Sequence, residues 1–79
     1  MKRMSRTNVN ILIGASWCAP CKQVKGFLDN RGIDYEYVDI DTDVGMELAR
    51  DWSIRSVPSM EVDGNVITGD KAIMEAFGE

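Results

Sequence analysis

Val9-Asn10-Ile11-Leu12-Ile13-Gly14-Ala15-Ser16-Trp17-Cys18-Ala19-Pro20-Cys21-Lys22 is the stretch from which the architecture of this chain is read. Val9 to Ile13 is a short apolar run rich in β-branched residues, the pattern of a buried strand, and Gly14 ends it. Beyond Trp17 the period changes. Cys21, Val24, Phe27 and Leu28 recur at helical spacing over about Ala19 to Asn30. Pro20 suits the first turn of that helix, where a missing N–H removes no intrahelical bond. Gly32 supplies a C-terminal stop. The stretch therefore predicts a strand, a tight connection and a helix that begins at the first of two cysteines.

Working outward, Ile33-Asp34-Tyr35-Glu36-Tyr37-Val38-Asp39-Ile40 alternates apolar with acidic residues and predicts a second strand. Asp41-Thr42-Asp43 offers helix caps ahead of a helix from Val44 to Trp52, expected to bury Val44, Leu48 and Trp52. Ser59–Val62 and Asn65–Thr68 flank Asp63-Gly64, a hairpin turn signal. Gly69-Asp70 precedes a last helix, Lys71–Phe77, with Ile73 and Phe77 on one face and Asp70 as its cap. The order is βαβαββα: an α/β fold with a four-stranded mixed sheet flanked by three helices. The first two strands should run parallel through a right-handed crossover, and the last two should form an antiparallel hairpin. Residues 1–8 are polar and expected to be flexible, leaving 9–79 as the domain.

The chain has 79 residues, 44% of them hydrophobic, and a formal charge of −4. That composition suits one globular domain near the lower size limit for folding alone. A mildly acidic chain lacks the clustered cations that phosphate binding requires, so no nucleic-acid partner is expected. Lys2, Arg3 and Arg6 are followed by no apolar signal-peptide core, and no run approaches membrane-spanning length. A soluble, cytoplasmic, monomeric protein with no membrane partner is the expectation. Asp39, Asp41 and Asp43 lack the glycine and distal Glu of a calcium loop. Met46, Met60 and Met74 are read as core gap-fillers, and Trp52 as packing.

There are two cysteines and no histidine. A bridge between Cys18 and Cys21 would close a four-residue loop, worth about 2 kcal/mol by chain entropy against roughly 3 kcal/mol for fifteen residues. It is a poor staple. It is a good redox switch. Thiol–disulfide exchange needs an accessible thiolate and a second sulfur near enough to resolve the mixed disulfide. A helix start favours negative sulfur at Cys18, through its free N–H groups and dipole. Cys21, one turn inward, should be the more buried, so Cys18 reads as nucleophile and Cys21 as the resolving thiol. A zinc site would lack two of its usual four ligands.

Trp17-Cys18-Ala19-Pro20-Cys21-Lys22 resembles the WCGPCK motif of the thioredoxin superfamily, with Ala for Gly. Ser53-Ile54-Arg55-Ser56-Val57-Pro58-Ser59 is similar to the segment that carries the superfamily's cis-proline. In length and element order the chain looks like glutaredoxin, as do Arg31 to Glu36 and Val38 to Asp41, and the likeness extends loosely over residues 9–77. The resemblance implies a minimal thioredoxin-like fold and an enzyme that reduces protein disulfides through a Cys18–Cys21 redox disulfide. Ribonucleotide reductase is one such implied substrate. No bound cofactor is implied; electrons would come from NADPH through a flavoprotein thioredoxin reductase, or from glutathione. It also implies a cis Val57–Pro58 bond facing the cysteines, with Trp17, Ala19, Pro20, Val57 and Pro58 as substrate contacts and Lys22, Gly69 and Asp70 in support. The chain departs from thioredoxin in placing Leu12 where that protein has a buried acid. It departs from glutaredoxin in carrying Ala15-Ser16 where a lysine is common and Thr68-Gly69-Asp70 where a Gly-Gly pair is common. An iron–sulfur or redox-inactive binding module on the same fold is the alternative.

Overall fold

The computed structural model describes residues 10–78; Val9 and the segment 1–8 lie outside them. The elements run β1 (Asn10–Gly14), α1 (Ala19–Asn30), β2 (Tyr35–Asp39), α2 (Asp43–Trp52), β3 (Ser59–Val62), β4 (Asn65–Thr68) and α3 (Asp70–Ala76). The sheet order is β2-β1-β3-β4. β1 is parallel to β2 and antiparallel to β3, and β3 and β4 form the antiparallel hairpin. β1 is thus a central strand, which explains its apolar composition.

Local chemistry sets most of the boundaries. α1 ends in a Schellman motif: Ile33 N–H donates to the Leu28 carbonyl at 3.0 Å and Gly32 N–H to the Asp29 carbonyl at 3.1 Å, with Gly32 at φ +68°. This corrects the second strand, expected from Ile33. The Ile33 amide is taken by the helix end, so β2 begins at Tyr35, where pairing with Asn10 starts. At α2 the Thr42 hydroxyl accepts the Gly45 N–H at 3.0 Å. Asp63 and Gly64 both take positive φ, 52° and 85°, as a type I′ hairpin requires. α3 starts one residue earlier than expected. Gly69, not Asp70, is its N-cap, and no side chain caps it.

Leu12, Val24, Leu28, Met60 and Ile73 form the main core, joined by Tyr35, Tyr37, Ile67 and Phe77. They come from β1, β3, α1 and α3, so those two helices share a face of the sheet. Ile13, which points the other way by strand alternation, is fully buried too. α2 packs on β2, and its inward residue is a correction. Val44 is 60% exposed, while Gly45 is buried. The stripe is Gly45, Leu48, Ala49 and Trp52, at i, i+3, i+4 and i+7. A Cβ on Gly45 would stand 2.6 Å from the Asp39 carbonyl carbon and 2.7 Å from Ile40 Cα. Glycine there is what lets the helix sit so close. Met46 is also exposed rather than a gap-filler, whereas Met60 is fully buried.

Candidate functional site

The two cysteines meet where β1 gives way to α1. After Gly14 the chain turns, with Cys18 N–H donating to the Ala15 carbonyl at 3.1 Å. This leaves Cys18 as the N-cap of α1, in extended conformation. Its sulfur accepts the Cys21 N–H at 3.2 Å, doing what a Ser or Asp side chain does at other helix starts.

Ala15, Cys18 and Cys21 form a second, smaller buried cluster, with Ile40 and Val57 packed on it. The thiol of Cys18 faces the Val57 carbonyl at 3.8 Å, and the Val57–Pro58 bond is cis. The Pro58 carbonyl in turn accepts the Gly69 N–H at 2.9 Å. The segment is pinned further at Ser59, whose hydroxyl donates to the Ser56 carbonyl at 2.9 Å and lies 3.1 Å from the Thr68 hydroxyl. Thus Cys18, Cys21, Val57 and Pro58 come together, and Gly69 joins them through Pro58. Ala19 and Pro20 are exposed on the first turn of α1. Asp70 opens α3, with a carboxylate in its first turn.

Cys18 corrects the expectation of an open sulfur. The residue is only 6% exposed, because Ala15, Ile40 and Val57 close over it. Cys21 is fully covered. Burial first, and then a hydrogen bond with Cys18, push the Cys21 thiol up to about 12, against a lowering contribution from the Ala15 backbone. Both cysteines are free thiols.

Two features lie outside what sequence reasoning reached. Trp17 is 69% exposed, and its indole N–H donates to the Asp41 carboxylate at 2.9 Å. Asp39 Oδ1 accepts the Asp41 N–H at 2.8 Å. Asp39 and Asp41, at the end of β2 and just beyond it, are therefore occupied with turn geometry and with holding the indole. The second feature is an open cleft of about 430 Å³ beside the cysteines, lined by Ala15, Ser16, Lys22, Lys25, Gly26, Asp29, Tyr37 and Asp39. Lys22, whose direction the sequence left open, points here. Among the described residues no group of three His, Cys, Asp or Glu side chains is gathered to hold a metal ion.

A Cys-x-x-Cys at the start of a helix, opposite a cis-proline at the head of an antiparallel strand, defines a protein of the thioredoxin superfamily. The glutaredoxin family model matches residues 4–67, and the chain belongs to the glutaredoxin family. Among curated relatives, thioredoxin 3 of Plasmodium falciparum is 34% identical over 58 residues, which is 70% of this chain; the match spans 32% of the relative's length. Among solved structures, the thioredoxin-like protein BC3987 is 31% identical with a TM-score of 0.68, over 76% of this chain and 85% of that one. The glutaredoxin of Archaeoglobus fulgidus superposes with a TM-score of 0.73 at 19% identity, over 100% of this chain and 96% of that one, a likeness of fold.

Proposed function

We propose that this protein is a dithiol reductant of protein disulfides, with Cys18 as nucleophile and Cys21 as resolving thiol. The observation that carries the reading is the placement of Cys18 Sγ, between the Cys21 amide whose N–H it accepts and the Val57 carbonyl that precedes the cis-proline. A disulfide brought up along Val57 in an extended backbone meets Cys18 before it can meet Cys21. Cys18 attacks, a mixed disulfide forms, and Cys21 displaces the substrate thiolate to close the Cys18–Cys21 bond. Trp17, Ala19 and Pro20 supply exposed surface beside this point. Substrate approach is narrow, which suits an extended polypeptide better than a bulky folded surface.

Recharging requires a dithiol or two monothiols. NADPH with a flavoprotein thioredoxin reductase and glutathione with its reductase are the two candidate systems, and ribonucleotide reductase is a candidate acceptor. A cytoplasmic setting and a monomeric state belong to the same proposal.

Insulin reduction by the wild type, Cys18→Ser and Cys21→Ser tests the assignment of roles. The wild type should turn over with one of the two reducing systems. Cys18→Ser should be inactive, and Cys21→Ser should accumulate a mixed disulfide visible as added mass. Full turnover by Cys18→Ser would overturn the reading. Iron-dependent colour in the purified protein would favour a cluster-binding module instead.

A further inference from the structure

Cys21 poses a problem that the Cys-x-x-Cys motif does not solve. The residue is fully covered and its thiol is held at about 12, so its proton must be removed as it attacks. Leu12 of β1 is fully buried and has no proton to exchange.

Groups able to take the proton approach from β2. Asp39 pairs with Gly14 across the two parallel strands. Tyr37, two residues earlier, projects to the same face of the sheet. A Cβ on Gly14 would stand 3.0 Å from the Tyr37 hydroxyl oxygen, 2.9 Å from its Cε1 and 3.2 Å from Cys21 Cβ. With glycine there, the phenol and Cys21 approach the same small patch of backbone. Tyr37 also lines the open cleft, in company with Lys22, Lys25 and Asp29 of α1 and Asp39 of β2. The Lys25 ammonium sits over the ring, 4.2 Å from its centroid, and holds it in place. The phenol therefore approaches Gly14 beside the sealed cysteine and also lines an open, carboxylate-bearing cleft. Burial first, then the charges of Asp39 and of the two cysteines, keep Tyr37 above the ordinary phenol range. It is a neutral hydroxyl that both donates and accepts, a relay and not a base.

We propose that Tyr37 relays the Cys21 proton to the cleft during the resolving step, with the Asp39 carboxylate as acceptor. The inference rests on the dithiol reading given above. The sulfur of Cys21 forms its bond to Cys18 Sγ while the bond from Cys18 to the substrate sulfur breaks. The electron pair leaves with the substrate as thiolate. The Cys21 proton passes to the Tyr37 oxygen as the phenolic proton passes to Asp39, which returns it to water. Asp39 acts through Tyr37.

Ellman's disulfide separates the two steps. Reduced protein should release one thiolate dye molecule as Cys18 attacks, and a second as Cys21 resolves the adduct. Stopped-flow traces between about pH 6 and 9 are recorded for the wild type, Tyr37→Phe and Asp39→Asn. Tyr37→Phe keeps the ring and Asp39→Asn keeps the acceptor used by the Asp41 amide. In both variants the second phase should slow by at least about tenfold near pH 7 and recover steeply as hydroxide takes over, with the first phase unchanged. A wild-type second phase in Tyr37→Phe across the whole range would overturn the proposal, as would equal slowing of both phases. Release of a single dye molecule by the wild type would instead remove the dithiol reading itself.

Discussion

The indole of Trp17 and the carboxylate of Asp41, 24 residues apart, are joined by a 2.9 Å hydrogen bond. It ties the most exposed large apolar side chain beside the cysteines to the loop between β2 and α2. Such an exposed bond adds about 1 kcal/mol or less to folding. Its effect is on orientation: without it the ring is free to rotate away from the site.

Asp41→Ala should therefore leave the urea midpoint nearly unchanged. In a Trp52→Phe background, where Trp17 alone reports, the variant should shift tryptophan emission. The KM for protein disulfides should rise several-fold, with little change in kcat. An unchanged KM would mean that Trp17 needs no anchor.

Thiol trapping should discriminate between the cysteines. A thiol at about 12 is ionised in only about one molecule in thirty thousand at pH 7.5. Iodoacetamide at that pH should label Cys18 and spare Cys21, as read by fragmentation of the labelled peptide. Equal labelling would show that Cys21 is far less protected than its burial requires.

Two glycines in helices should respond in opposite directions to alanine. At Gly45 the new methyl meets the backbone of Asp39 and Ile40, which cannot yield as a side chain could. Gly45→Ala should cost about 3 kcal/mol in urea unfolding. At Gly26 a Cβ meets nothing within 4 Å, and Gly26→Ala should stabilise by about 0.5–1 kcal/mol through helix propensity and chain entropy.

Alkali should destabilise the reduced protein. Burial leads the causes that raise Cys21 to about 12 from 9.0 and Tyr35 to about 12 from 10.0, and Tyr37 is raised as well. The unfolded chain gives up these protons first, so it binds fewer of them than the folded state as the pH rises. Their contribution is fully present below about pH 9 and is lost progressively toward pH 12. Urea midpoints of the reduced protein should fall over that window. The oxidised protein, with no Cys21 thiol to ionise, should fall less steeply.

Much of the fold was legible because its signals are short-range. The bounds of α1, the Asp63-Gly64 turn and the Thr42 cap each depend on residues within a few positions of one another. The Cys18-x-x-Cys21 pair was legible for the same reason: one helical turn brings the second amide to the first sulfur. The inward face of α2 was not. Glycine carries no hydrophobic signal, so Val44 was favoured over Gly45, and only the close approach of α2 to the end of β2 reverses that choice.

What the sequence alone determined is the order of the elements, the placing of two thiols one turn apart at a helix start and which of them comes first. All of these follow from propensity and spacing along the chain. Tertiary structure decided how nearly Cys18 is closed over, that Asp41 holds Trp17, and that the Tyr37 phenol and Cys21 both come up against Gly14. Those outcomes depend on which strands lie side by side and how tightly helices settle on them. Such distances are set by packing between residues far apart in the chain, and a linear pattern carries no measure of them.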